Sequence, residues 1–435
     1  MKIVFLLHNA YAVGGTVRTT LNLAAALTEH GGHEVEIVSM SRHRESPRFA
    51  VDPRITLVPL VDTRADGADT RQAAYAEPSR DFPAAEKRYK QYSLLHDQRV
   101  RGYLEERCDA DVVIGTRPGI NVYLAKWGPR RALRIGQEHL RHDAHSKKLR
   151  TELARHYRRL DALVTMTEAD AAVYRARVPL PGVRVLSVPN IVPPASVPAS
   201  DGSSKVVAAA GRLAPGKRYD LLLEAFAEVA ARVPEWELRI YGGGAQEPRL
   251  RALIERLGLA GRARLMGTVS PIEPEFAKAA LVVSASDAES FGMTLVEAMR
   301  CAVPVISTDA PLGPAEIITD GVDGRLVPVG SADALAEAMT ELIGDAATRE
   351  RMGAAALASA HRFDPEPIVA RYHTLFAELR ASRFRRAGRR FRARATNWAR
   401  RKVRSLRATW PGGRGGTSHD GRRSRAHGTA QPGRS

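Results

Sequence analysis

Glu289 and Glu297 are the residues whose types and spacing bear most directly on chemistry. They lie in Asp287-Ala-Glu-Ser-Phe-Gly-Met-Thr-Leu-Val-Glu-Ala-Met299, between an apolar strand and a helical run. Gly292 permits a sharp turn. The amides of the helix start that follows offer unpaired donors and a positive dipole end, both suited to phosphate. One carboxylate before the turn and one inside the helix could face a cleft together and accept hydrogen bonds from a neutral polyol. The plain alternative is a capping Glu289 and a solvated Glu297; the paired spacing and Gly292 favour a pair of hydroxyl grips. A second cluster, Gly211-Arg-Leu-Ala-Pro-Gly-Lys217, follows directly on the apolar run Val206 to Ala210. Two cations at the exit of a strand match what a diphosphate requires, so Arg212 and Lys217 would neutralise a leaving group. The competing view is a surface loop with routine cations.

The loop Asn9-Ala-Tyr-Ala-Val-Gly14-Gly15-Thr16 carries adjacent glycines that let a ligand approach the backbone at a helix start. It is neither a G-x-G-x-x-G fingerprint nor a P-loop, since no Gly-Lys-Ser/Thr follows. Tyr241-Gly-Gly-Gly244 is expected to be loop geometry with contact to a base. Asp109 and Asp111 precede a strand instead of leaving it, so they are a strand entry and not a metal pair. His139, His142 and His145 are loosely spaced for zinc, with no third ligand type. His139, at a strand exit, is placed to face a cleft.

Short β-branched runs alternating with longer amphipathic stretches predict parallel sheets flanked by helices, an α/β fold. Expected strands are Ile3 to Leu7, Glu34 to Ser39, Ile55 to Pro59, Val112 to Gly115, Leu133 to Gly136 and Ala162 to Met166, with a helix over Val17 to Glu29. A Pro/Ser-rich connection ends this half, and the alternation restarts at Val206. The expected domains are 1–190, a linker 191–204, a second domain 205–364, a further helix 365–380 and a basic tail 381–435. Residues 63–90, rich in Ala, Arg and Asp, are expected to be an excursion on the surface of the first domain.

The formal charge of +18 is uneven: residues 381–435 hold 17 Lys/Arg and one acid, Asp420, leaving about +2 for the body. Two cysteines, Cys108 and Cys301, exclude a disulfide scaffold and a four-cysteine zinc site, and fit a reduced, cytosolic protein. The start Met1 to Leu7 is too short for a signal-peptide core, and no run of about 18 apolar residues occurs.

Taken together, the Gly14-Gly15 loop, Gly211-Arg212 with Lys217, and Glu289-Ser-Phe-Gly-Met-Thr-Leu-Val-Glu297 resemble the retaining glycosyltransferases of family four, over about residues 1–380. The resemblance implies the GT-B fold, two Rossmann-like domains facing a cleft, with a C-terminal helix crossing back to the first. It implies that Arg212 and Lys217 contact the donor diphosphate, Glu297 the ribose and Glu289 the transferred sugar. Amides around Phe291, Gly292 and Met293 would line that sugar, His139 would lie beside the donor sugar and acceptor hydroxyl, and Gly14 and Gly15 would approach the phosphates. Residues Pro311 to Ile318 and Gly321 to Gly324 look like the branch that glucosylates poly(glycerol phosphate). The implied partners are a nucleotide-sugar donor and a glycan, lipid-linked or polyol-phosphate acceptor, with no metal and no cofactor.

In residues 384–410, Phe384, Phe391, Ala395, Trp398, Val403, Leu406 and Trp410 share a broad helical face among arginines. That pattern suits an anionic bilayer surface, so a cytoplasmic protein peripheral on the inner face of the membrane is expected, against a solvated tail. A polyanion or nucleic-acid binder is a rival supported by the tail alone, because the body has no basic stripe or RNP-like pattern. An epimerase or phosphorylase on a similar scaffold is the nearer rival.

Overall fold

The computed structural model describes residues 1–383, Arg386 and Gly388; the expected membrane-facing stretch 384–410 otherwise lies outside the described residues. Two parallel sheets follow each other along the chain. The first holds β1 (Lys2–Leu7), β2 (Glu34–Arg42), β3 (Thr56–Asp62), β4 (Val112–Gly115), β5 (Leu133–Glu138), β6 (Ala162–Thr165) and β7 (Arg184–Ser187) in the order β3-β2-β1-β4-β5-β6-β7. The second holds β8 (Val206–Ala210), β9 (Glu237–Tyr241), β10 (Ala263–Gly267), β11 (Leu281–Ser284), β12 (Val305–Thr308) and β13 (Gly324–Val327), ordered β10-β9-β8-β11-β12-β13. Helices cover both faces, which is why central strands such as β1 read as unbroken apolar runs. In each sheet the order reverses at one place, between β1 and β4 and between β8 and β11. Crevices outside the carboxyl ends of strands at such reversals are where open α/β sheets bind ligands.

Several strands outrun their apolar signal. β5 continues through Gln137 and Glu138, which stay in the ladder opposite Val164 and Thr165 and are buried. Their side chains find partners there: Gln137 Nε2 donates to Tyr372 Oη at 2.6 Å, and Tyr157 donates to Glu138. Segment 63–90 runs largely over the surface of the first domain, as expected, but is pinned to it at isolated points. Phe82 is buried and stacks on Tyr92 with ring centroids 3.7 Å apart, and Glu86 is buried against Arg117 at 2.6 Å. Weak periodicity concealed a segment anchored at isolated points. Asp109 and Asp111 lie at the amino ends of the central strands: Lys2 Nζ pairs with Asp109 at 2.6 Å and its amide donates to Asp111 at 3.0 Å.

The chain crosses between the sheets twice. The first crossing runs through Val188 to Ser204, and the second leads into the helix Pro365–Ala381, which packs on the first domain through Tyr372. The crossings lie side by side, with the Val192 amide donating to Phe363 O at 3.2 Å. Buried Arg300 ties both, donating to Val192 O at 2.7 Å and pairing with Asp364 at 2.5 Å. No helix among the described residues is long and apolar enough to cross a membrane. Tyr372→Phe leaves the buried Gln137 amide without its acceptor, so unfolding in urea should show a loss of about 1 to 3 kcal/mol.

Candidate active site

The loop after β8 takes its shape from a close backbone approach. Gly242 has φ +140°, and a Cβ there would lie 1.8 Å from Gly211 O; one on Gly244 would lie 2.4 Å from Leu213 O. Gly211 N donates to Tyr241 O at 2.9 Å and Leu213 N to Gly243 O at 3.0 Å. The Gly242-Gly243-Gly244 run, expected to be loop geometry with contact to a base, acts as the seat of the 211–217 loop. That loop ends at Arg218, whose φ of 50° and ψ of 42° are left-handed; its guanidinium bonds Asp287 at 3.0 Å and Asp220 at 3.1 Å. Arg212 is exposed and makes no ion pair among the described residues.

Glu289 stands on the loop after β11, the neighbouring strand across the reversal. Lys217 Nζ donates to its Oε1 at 2.5 Å and Ser286 Oγ at 2.7 Å, while the Asp287 amide donates to Gly216 O at 3.0 Å. Lys217 thus meets a carboxylate directly, whereas Arg212 on the same loop makes no ion pair among the described residues. Gly292, with φ 118° and ψ 49°, turns the chain into the seven-residue helix Met293–Met299. The Phe291 side chain points into the core and meets Phe363 edge-on at 5.5 Å, so its backbone alone faces the loop. Gly313, after β12, completes the turn, since a Cβ there would sit 2.2 Å from Phe291 O.

Glu297 is buried one turn into that helix. Desolvation pushes its carboxyl up to about 7; the Arg18 charge opposes this and Glu273 adds to it. Arg18 comes from the first domain, on the helix Gly15–Glu29 that follows the Gly14-Gly15 loop, and lies 3.3 Å from Glu297 and 2.8 Å from Glu273. Open space surrounds both glycines: a Cβ on either would meet nothing within 4 Å. A second contact joins the domains where Glu316 accepts from the amides of Glu168 and Ala169 at 2.8 and 2.7 Å, at the start of the helix Glu168–Arg177. The carboxyl ends of the two sheets are therefore apposed, and Arg88 of the first domain lies within electrostatic reach of Arg212.

His139 follows β5 and lines a narrow cavity with Thr19, Met166, Asn190 and Tyr372. Its Nε2 is buried without a hydrogen-bond partner, and desolvation beside Arg117 lowers its pKa to about 4, so it is neutral. No hydrogen bond or ion pair joins it to Arg212, Lys217, Glu289 or Glu297 among the described residues. His142 packs edge-on to Tyr174 at 5.0 Å, and His145 lies 3.4 Å from Glu138, so the three histidines go to different partners.

Residues 196–358 match the family model described as Glycosyl transferases group 1. Most of the second domain is thus similar to that family. The chain as a whole resembles TarM of S. aureus, with a TM-score of 0.70 and 16% identity over 86% of this chain and 99% of that one. That likeness shows the fold: two Rossmann-like parallel-sheet domains in the GT-B arrangement. An exopolysaccharide phosphotransferase of Streptomyces coelicolor is 34% identical over 395 residues, 87% of this chain and 41% of that protein. A poly(glycerol-phosphate) alpha-glucosyltransferase of Bacillus subtilis is 30% identical over 152 residues, 35% of this chain and 23% of that protein. The chain thus spans less than half the length of either relative.

Arg18, Glu273 and Arg218 were not singled out by sequence reasoning. Arg18 did carry a signal: it is a cation near the N-terminus of a helix with no acid in its first turn, where the dipole disfavours it, so a partner from elsewhere was required. Gly242→Ala drives a methyl group into Gly211 O and should lower stability by about 1 to 3 kcal/mol or more, seen as an earlier denaturation midpoint. Glu297, raised from 4.5 to about 7, adds stability that is complete below its unfolded value and lost as pH rises through about 7. Glu297→Gln should flatten that fall in a series of melting temperatures between these limits.

Proposed function

We propose that this chain is a retaining, metal-independent hexosyltransferase. It moves a sugar from a UDP- or GDP-sugar to a hydroxyl of a cell-envelope acceptor, whether a glycan, a lipid-linked sugar or a polyol phosphate. One observation carries the reading: at the reversal of the second domain's sheet, Arg212, without an ion pair among the described residues, and the Lys217–Glu289 pair stand on adjacent loops. The relatives lend support, since the Bacillus subtilis protein is an alpha-glucosyltransferase and the S. aureus structure contains UDP and alpha-GlcNAc-glycerol. The Streptomyces coelicolor name describes a protein more than twice the matched length, so phosphotransfer is not carried over.

The chemistry follows from charge development. As the anomeric carbon–oxygen bond to the diphosphate breaks, negative charge grows on the leaving phosphate, and Arg212 and Lys217 stabilise it as fixed cations. Glu289 holds Lys217 in place and offers its carboxylate to the sugar hydroxyls, and Glu297 takes the ribose. The acceptor oxygen attacks from the face the phosphate leaves, its proton passing to the departing phosphate oxygen, which gives retention without a covalent enzyme intermediate. His139, being neutral, would contact the sugar or acceptor as a hydrogen-bond partner and not as a cation. Gly14 and Gly15 provide the open backbone that approaches the phosphates. The basic stretch 384–410 would keep such an enzyme at the inner membrane face, near a membrane-linked acceptor. A polyanion-binding role draws on that tail alone.

Labelled UDP- and GDP-sugars, incubated with and without envelope lipid or polyol-phosphate acceptors, should show acceptor-dependent transfer. Arg212→Ala and Lys217→Ala should each cost about 100-fold in turnover. Turnover within about threefold of the unsubstituted chain would remove the leaving-group role.

A further inference from the structure

We propose that Arg18 is a positioning residue for the donor nucleotide: it reaches from the first domain, holds one oxygen of the Glu297 carboxylate, and leaves the other for a ribose hydroxyl. This rests on the nucleotide-sugar reading of the same site.

The geometry is that of one guanidinium between two carboxylates. NH1 lies 3.3 Å from Glu297 Oε1 and NH2 donates to Glu273 Oε1 at 2.8 Å. Glu273 Oε2 is buried without a partner among the described residues, and the buried Glu297 carboxylate has the Arg18 guanidinium as its ion-pair partner. The pocket therefore holds two acids against one base and has spare acceptor capacity. A buried acceptor without a donor costs free energy, so the site is matched to a ligand that brings hydroxyl donors and no charge of its own at that point. A ribose diol has that chemistry. A second cation there would suit a phosphate better, and none is present among the described residues.

Arg18 also governs whether Glu297 accepts. Facing the carboxyl are Arg18 from the helix Gly15–Glu29, Glu273 from the short helix Glu273–Phe276, and the Cys301 thiol, which burial pushes up to about 12 and keeps neutral. With Glu297 near 7, removing the guanidinium leaves the carboxyl protonated at neutral pH, and a protonated carboxyl accepts a hydroxyl proton poorly. Removing the Glu273 charge acts in the opposite direction. Two substitutions on one pocket should thus move one titration in opposite senses.

The test is calorimetric titration of UDP and of GDP into the full chain from about pH 6 to about pH 9, a span that brackets the raised carboxyl. Arg18→Ala should weaken nucleotide binding about tenfold or more at neutral pH and shift the midpoint of its pH dependence upward. Arg18→Lys should recover part of the affinity, because it restores the charge without the planar fork. Glu273→Gln should move the midpoint downward without weakening binding. An Arg18→Ala profile superimposable on that of the unsubstituted chain overturns the proposal and leaves the nucleotide reading intact. A Glu273→Gln profile that copies Arg18→Ala would show an interdomain strap only, and overturns it as well. If the unsubstituted chain binds neither nucleotide, the nucleotide reading falls and the proposal falls with it.

Discussion

The 2.5 Å ion pair between Lys217 and Glu289 joins residues 72 apart in sequence, and the rest of the second domain's site depends on the placement that makes it. Both residues leave strands at their carboxyl ends, and the two strands are neighbours because the sheet reverses its order between them. Neither loop holds its form alone. The 211–217 loop rests backbone to backbone on glycines after β9, and the Glu289 turn rests on Gly313 after β12. Four consecutive strands of the sheet thus each contribute a loop to one surface, and glycine is needed where those loops touch.

Charge is distributed over the two domains in a way that neither half reveals by itself. The second domain presents Arg212 and the Lys217–Glu289 pair, while buried Glu297 and Glu273 are balanced by a guanidinium from the first. On the first-domain side, His8 is held neutral, its pKa lowered to about 3 by desolvation between Arg88 and Arg117. Positive charge there belongs to the arginines, with Glu86 paired to Arg117. The apposed edges are consequently complementary at Arg18 and Glu316 and cationic around Arg88 and Arg212, the pattern wanted where an anion enters between domains.

Much of this was legible in the residues. The alternation of apolar runs located the strands because a covered parallel sheet makes each central strand a continuous apolar word, and β4 and β8 coincide with those runs. The Glu289–Glu297 motif showed its turn because Gly292 adopts a conformation other residues resist. What escaped depends on contacts distant in sequence. Gln137 and Glu138 look like a strand exit until Tyr372 and Tyr157, from other elements, satisfy them in the interior. Phe82 looks like a lone aromatic in a polar stretch until Tyr92 covers it. Arg18 cannot be assigned to Glu297 from either half alone, since the pairing exists only once the domains are apposed.

The side-by-side crossings at Val192 and Phe363, stapled by Arg300, bear on how the halves could part. Two adjacent tethers resist twisting and sliding, because either would stretch one while slackening the other. What they leave free is a pivot about the line on which both lie, as the spine of a book allows its covers to separate but not to shear. The edge furthest from the spine would then travel furthest for a small change of angle, while Arg18, one helical turn from Asn22 that donates to Ile191 O at 3.1 Å, stays close to it.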